Sequence, residues 1–248
     1  MIIIPARMAS TRFERKILAP IYGEPMFIAT AKKVQNLDRV LIATDDTEVL
    51  KIAQSYGFEA VMTSILHQSG TDRINEAAQK FNLNDNEVII NVQADEPFIE
   101  PQVIQSVIDR LKQALQNNED IMMVSCYKSI DSSDAQDPNL VKVITDASEN
   151  AIYFSRAKIP YERATCKEYF GHLGIYGFSK KSLQAFCALP SSPLEEIEKL
   201  EQLRAIYHGK KVAMVRVQSE SFGIDTPQDL QRALAYFNGE KNTNSFDK

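Results

Sequence analysis

The sequence predicts an α/β fold: a mixed, mainly parallel sheet covered by helices on both faces and carrying an antiparallel insertion. Three observations predict it. Short β-rich runs alternate with segments of helical period through the first half of the chain, the pattern of a sheet whose strands are joined by covering helices. The stretch 129–178 loses that alternation and shows strand-like pieces broken by turn residues. With 248 residues, 44% hydrophobic and 25% charged, the chain can bury one core of ordinary size, so one domain with a subdomain is expected.

Taken in order, "MIII" reads as a strand, "PMFIATAKKVQNL" as a helix, "RVLIAT" as a strand, "TEVLKIAQSYG" as a helix ending at Gly57 and "EAVMT" as a strand, each from its periodicity and end signals. A helix near 71–81, the strand "EVIINVQ" (87–93), a helix from Pro101 to about Asn117 and the strand "IMMVSC" follow. Such a sheet binds its ligands in loops beyond the carboxyl ends of the strands. Segment 129–178 gives no clean helix and is expected to extend the site or form a dimer contact. Beyond it lie helices at 179–188 and 193–208, a strand at 211–218 and a last helix from Pro227. The single domain is expected to span 1–237, with a frayed polar tail at 238–248.

The formal net charge of −5 argues against a nucleic-acid or membrane-surface partner, since those call for a broad basic excess. Cys126, Cys166 and Cys187 are odd in number, widely spaced and without a CxxC pair, so neither a disulfide framework nor a thiolate zinc site is expected. No apolar run reaches the length of a signal-peptide core or the ~20 residues of a membrane helix. A cytoplasmic protein is the expectation.

Against this acidic background, Arg7, Arg12, Arg15 and Lys16 follow directly on the first strand, with Glu14 as the one anion and no glycine among them. A doubly wound sheet binds phosphate at this point, usually through a GxGxxG or GxxxxGK(S/T) turn. Neither occurs here. Without glycine amides, side chains must cradle the phosphate, and guanidinium groups grip its oxygens in bidentate fashion. The stretch is either a polyphosphate site or a solvated basic loop. A polyphosphate site also calls for Mg²⁺, held by one or two carboxylates together with phosphate oxygens and water. "NVQADEP" sets Asp95 and Glu96 just past a strand, on the side where ligands lie. In "GIDTPQDL", Thr226, Pro227 and Asp229 already explain how the helix starts, which leaves Asp225 as a turn residue or as a second metal ligand.

Three further stretches stand out. In "SSPLEEIEKLEQLRAIYH" the apolar arc runs through Leu194, Ile197, Leu200, Leu203 and Tyr207, and Glu201 and Arg204 fall inside it. They either pair with each other or face a polar cavity. "HQSGTDR" offers Ser69 and Asp72 as a capping box, with Gly70 small enough to admit a flat base. "YFSRAKIPY" and "GHLGIYGF" offer Arg156, His172 and Tyr176; the three scattered histidines do not form a metal cluster.

With these residues assembled, the sequence resembles the 3-deoxy-manno-octulosonate (Kdo) cytidylyltransferases, the CMP-Kdo synthetases. The likeness rests on "IIIPARMASTRFERKIL", "ATDD", "HQSGTDR", "NVQADEP", "PNLVKV", "YFSRAKIPY", "HLGIYGF", "LEEIEKLEQLRAIYHG" and "GIDTPQDL", which run in family order across nearly the whole chain. The resemblance implies a Rossmann-like fold of the nucleotide-diphospho-sugar transferase type and a reaction in which Kdo attacks the α-phosphorus of CTP. CMP-Kdo for lipopolysaccharide synthesis and pyrophosphate are the products, with Mg²⁺ required and a homodimer built partly through the central insertion. It assigns Arg7, Arg12 and Lys16 to the triphosphate, and Asp95 and Asp225 to the metal. Ser69, Gly70 and Asp72 fall near cytosine and ribose, and Arg73, Gln93, Arg156, His172, Tyr176, Glu201 and Gln202 around Kdo, with an arginine on its carboxylate.

The chain departs from the family pattern at two places. Glu14 and Arg15 stand where a proline and glycine are usual, and Ala94 replaces the glycine before Asp95. The second change is tolerable unless that backbone needs positive φ. Rival readings are a cytidylyltransferase for 8-amino-Kdo or a sialic-acid-like sugar, a non-catalytic nucleotide sensor and, least favoured by the charge, a nucleic-acid binder.

Overall fold

Solvent reaches none of Ile2, Ile3 and Ile4, although successive strand residues point to opposite faces of a sheet. Helices must therefore cover both faces. The computed structural model describes residues 1–10, 12–67, 69–166 and 168–243. The chain begins with β1 (Ile2–Ala6), the short pair β2 (Pro20–Ile21) and β3 (Glu24–Pro25), α1 (Met26–Val34), β4 (Val40–Thr44), α2 (Thr47–Ser55) and β5 (Glu59–Met62). Next come α3 (Gly70–Lys80), β6 (Val88–Asn91), α4 (Pro101–Gln116), β7 (Met123–Ile130), β8 (Lys142–Thr145) and β9 (Ala151–Ser155). The last part holds β10 (Tyr169–Ser179), α5 (Lys180–Cys187), α6 (Pro193–Glu198), α7 (Gln202–Tyr207), β11 (Val212–Arg216) and α8 (Pro227–Thr243). No helix of the described residues is long and apolar enough to cross a membrane.

The main sheet runs β11-β7-β10-β6-β1-β4-β5, and β8 joins β10 to β9 at its side. All strands of this path are parallel except β10, which lies antiparallel between β6 and β7. Side chains of Ile2, Ile4 and Ile42 pack with α1, α2 and α4 on one face. Those of Ile3, Leu41 and Ala43 pack with α3, α5 and α7 on the other. A third apolar cluster, with Ile21, Met26, Phe98 and Ile224 at its centre and Phe13 against it, seats α8 beside the basic loop. Phe98 and Phe237 stack there with ring centroids 4.3 Å apart.

The sheet corrects the reading of 129–178 as a single insertion. Only β8 and β9 form an antiparallel appendage; Tyr169–Ser179 is a central strand of the main sheet. Its glycines, Gly171, Gly174 and Gly177, read as turns in the sequence, yet two of them sit where a side chain has no room. A Cβ on Gly171 would lie 2.9 Å from Ile130 Cγ2, and one on Gly177 3.0 Å from Val107 Cγ1. The helix expected at 193–208 is also interrupted. Lys199 takes a left-handed conformation, φ 55°, which ends α6 and turns the chain into α7. Leu200 and Leu203 are buried, but Ile197 is 79% and Tyr207 53% exposed, because no continuous arc survives the turn. At the other end α8 continues to Thr243, into the stretch expected as tail; residues 244–248 of that tail lie outside the described residues.

Gly177→Ala is expected to destabilise the fold by about 1–3 kcal/mol through overpacking against α4, read as a lower urea midpoint at unchanged slope.

Candidate active site

The later half of the basic loop is anchored by two apolar plugs: Ile17 is buried in the main core and Phe13 packs in the cluster under α8. The cations of the loop diverge. Arg7 is exposed just beyond β1. Arg12 meets Asp225 Oδ2 at 2.9 Å, and Arg15 turns to α2, where its guanidinium pairs with Glu48 at 2.5 Å. Arg15 has φ 51° and ψ 32°, so the chain makes with an arginine the left-handed turn that a glycine makes more easily.

Lys16 is the junction of the site. Its Nζ donates to Asp95 Oδ2 at 2.5 Å and to Asp225 Oδ1 at 3.1 Å. Burial alone would lower the pKa of this ammonium, but the two carboxylates more than offset it and raise it above the ordinary lysine value. Asp95 arrives just beyond β6. Asp225 precedes α8, whose first turn is closed without its side chain: Thr226 accepts from the Asp229 amide at 3.1 Å, and Asp229 accepts from the Thr226 amide at 2.8 Å and from the Asp225 amide at 3.2 Å. Asp225 is thus free to face Lys16 and Arg12. Glu96, beside Asp95, differs: burial first, and the Asp95 charge second, push its carboxyl up to about 8. Ala94 is not among the residues with positive φ, and its carbonyl accepts from Thr30 at 3.1 Å; the alanine needs no glycine-only backbone.

On the expected nucleotide side, Ser69 caps α3 by accepting from the Asp72 amide at 3.1 Å and donates to Asp72 Oδ2 at 3.0 Å. The turn before it is tied down by Glu76, which accepts from the Ser64 amide at 2.8 Å and bonds His67 Nε2 at 2.5 Å. Burial raises the Glu76 carboxyl, yet the bonds from Lys80, Ser64 and His67 together draw it down to about 2. Gly70 serves packing: a Cβ there would lie 3.3 Å from Pro5 Cγ and 3.6 Å from Gln93 Oε1.

A buried polar group forms the other side. The reversed β10 pairs Tyr176 with Asn91 at the carboxyl end of β6, so Tyr176 stands at that end and His172 beyond it. His172 Nε2 lies 2.8 Å from Ser125 Oγ. The serine hydroxyl donates to Ile175 O at 2.7 Å, which makes the imidazole the donor of the first bond. Burial lowers the His172 pKa to about 3, so the ring is neutral. Tyr176 donates to Gln202 Oε1 at 3.1 Å and Thr71 to Glu201 Oε2 at 2.6 Å; burial raises the Glu201 carboxyl above its ordinary range, and Asp72 adds to the effect. Arg204 bonds Glu195 instead of Glu201, at 2.5 and 2.9 Å. Arg156, just past β9, is tied to Glu198 and Pro138.

Arg73 stands apart from this group. Its side chain is 2% exposed and donates to Asp45 at 2.7 Å and Thr63 at 2.6 Å. It braces α3 against the ends of β4 and β5, and to grip a ligand carboxylate it would have to give up a buried ion pair. Asp45, Thr71, Glu76, Ser125 and Glu198 were not among the sequence candidates. Only "ATDD" gave a signal for one of them, since Asp46 caps α2 by accepting from Glu48 and Val49 and leaves Asp45 without a local role. Among the described residues no cluster of three or more His, Cys, Asp or Glu could hold a metal.

Compared with known proteins, the chain matches a family described as Cytidylyltransferase over residues 1–212. A 3-deoxy-manno-octulosonate cytidylyltransferase from a Nitratiruptor species is 58% identical over 237 residues, which cover 96% of this chain and 99% of that protein. One from Wolinella succinogenes is 54% identical over 242 residues, with coverage of 96% and 99%. Among solved structures, a CMP:2-keto-3-deoxy-manno-octonic acid synthetase complexed with CTP superposes with a TM-score of 0.87 at 34% identity, covering 96% of this chain and 98% of that one.

The buried imidazole sets an acid limb. Between about 3 and the ordinary 6.5 the unfolded chain takes up a proton that the folded His172 refuses. Stability is therefore full above that window and falls as pH drops through it, by up to about 1.4 kcal/mol per pH unit. Urea unfolding of His172→Gln is expected to show a flatter dependence between these limits; an unchanged slope would mean that the folded imidazole is already protonated.

Proposed function

Because the chain belongs to the 3-deoxy-manno-octulosonate cytidylyltransferase family, we propose that the basic loop, the strand-end carboxylates and the buried polar group are its triphosphate, metal and sugar subsites. The reaction joins the cytidylyl group of CTP to the anomeric hydroxyl of Kdo and releases pyrophosphate, giving the activated sugar for lipopolysaccharide synthesis. The observation that carries the division is the meeting of Lys16 with Asp95 and Asp225.

Negative charge builds on the departing pyrophosphate as the bond to the α-phosphorus breaks. Arg7, Arg12 and Lys16 are assigned to neutralise it; Arg12 and Lys16 stand at the Asp95–Asp225 pair, whereas Arg15 turns away to Glu48 on α2. Fixed charges aimed at a developing charge are commonly the largest catalytic term. Asp95 and Asp225 suit Mg²⁺: two hard oxygen donors already converge on one cation, the Lys16 ammonium, and phosphate oxygens and water would complete the shell. When bound, the ion would polarise a phosphate oxygen. Lys16, released from the carboxylates, would then turn to the phosphates.

On the sugar side, Arg156 is assigned to the Kdo carboxylate in preference to the buried Arg73. Neutral His172, Tyr176, Gln93, Glu201 and Gln202 are assigned to its hydroxyls, a setting in which a missing or exchanged group is strongly rejected. Ser69, Gly70 and Asp72 are assigned to cytosine and ribose. A homodimer is part of the proposal, supported by Ile152 and Tyr161, apolar and 54% and 86% exposed in the 129–178 segment. A cytoplasmic location is proposed with it, supported by the free thiols of Cys126, Cys166 and Cys187.

The test is pyrophosphate release from CTP and Mg²⁺ with Kdo, its 8-amino analogue, a sialic acid or no sugar, and release is expected to require Kdo. Asp95→Asn and Asp225→Asn are each expected to lower kcat at least about 100-fold with the circular-dichroism spectrum unchanged; near-normal turnover in both would defeat the metal assignment. Arg12→Ala is expected to raise KM for CTP about tenfold or more, as the loss of a charge-assisted bond does. Arg15→Ala, a surface change, is expected to move it by less than about twofold.

A further inference from the structure

Lys142 is the one buried lysine among the described residues, with 0% exposure. Lysines are almost never fully buried unless paired, and the bonds that hold this one are all to backbone carbonyls. Its Nζ donates to Asp137 O at 2.7 Å, Leu140 O at 2.6 Å and Arg156 O at 2.7 Å, which uses all three hydrogens of the ammonium. Burial lowers its pKa, with the Asp137 charge acting the other way.

The three carbonyls come from two separate segments, the turn entering β8 and the residue after β9. These segments converge on Arg156. The same turn accepts from Arg156 Nη1 through Pro138 O at 3.0 Å. From the other side, Glu198 O accepts from Arg156 Nε at 2.7 Å, and the Glu198 carboxylate accepts from the Arg156 amide at 2.9 Å and from Ser155 Oγ at 2.7 Å. Lys142 pairs with Ser155 across the β8–β9 ladder, so the lysine lies directly beside this seat. The guanidinium is thus aimed by two carbonyls, and the turn that supplies one of them is gathered by the ammonium.

We infer that Lys142 is a positioning residue for the sugar subsite: its buried ammonium takes the place of a bound monovalent cation and fixes the 137–140 turn and the Arg156 backbone. The Arg156 guanidinium is thereby held for the carboxylate of the acid sugar. The inference rests on the assignment of Arg156 to that carboxylate.

Pyrophosphate release measured against Kdo and CTP in turn tests it, with Lys142→Met, Arg156→Ala and the double variant. Lys142→Met keeps the unbranched stem, one heavy atom shorter, and removes its donors; Lys142→Gln, which keeps two, serves if the first does not fold. KM for Kdo is expected to rise about 10- to 100-fold, the scale of a misplaced binding group, while KM for CTP stays within about twofold. In the Arg156→Ala background the lysine change is expected to add little, because both act through one contact. A folded Lys142 variant with normal KM for Kdo, a parallel rise in both KM values, or a full additional loss in the double variant would overturn the inference. Arg156→Ala with normal KM for Kdo would instead remove the carboxylate assignment, and the inference with it.

Discussion

Lys16 lies between two carboxylates that the chain delivers from positions 79 and 209 residues away. Asp95 and Asp225 would repel each other across this gap, and a charge taken out of water is costly unless it is paired. The ammonium, 12% exposed, resolves both problems and in doing so joins the basic loop, the end of β6 and the start of α8. Ile17 and Phe13 hold the loop from behind, and the aromatic cluster around Phe98 holds α8. The surface proposed for the phosphates is built on side-chain charge, without the glycine-rich turn common in doubly wound sheets.

The second half of the site depends on a reversal. A strand parallel to its neighbours would present its carboxyl end to the ligand side, whereas β10 presents its earlier residues there. Tyr176 therefore stands at the end of β6, within reach of α7, and His172 beyond that end. The left-handed turn at Lys199 has a matching effect, since it frees Glu201 and Gln202 from the apolar packing of a continuous helix. Both features place polar groups on regular elements or at their ends, where they are held with less freedom than on long loops.

The interior of this region is polar, and most of its groups are paired, Asn91 Nδ2 and Glu96 Oε2 being exceptions. His172 with Ser125, Tyr176 with Gln202, Glu201 with Thr71, Arg73 with Asp45 and Thr63, and Lys142 with three carbonyls leave few free choices of orientation. Networks of this kind add rigidity when satisfied and cost stability when one member is lost. The neutral imidazole of His172 belongs to the same logic: burial fixes its protonation state, and the serine that donates onward to Ile175 fixes which nitrogen carries the proton.

The sequence alone determined the alternation of strands and helices, because two periodicities, of 2 and 3.6 residues, are local properties that survive in one dimension. It also determined the charge of the loop at 7–16, the cap at Ser69 and the closure of α8 by Thr226 and Asp229, all made within a few residues of chain. It did not determine that β10 is a central strand, since its glycines read as turns until Ile130 and Val107 are seen to fill their side-chain space. Nor could it tell that Arg15 turns to Glu48, that Arg73 is buried on Asp45 or that Lys142 lies under Arg156. Each of these depends on which partner the fold brings within about 3 Å, the reach of a hydrogen bond. Such contacts join residues far apart in the chain, and only the tertiary structure decides them.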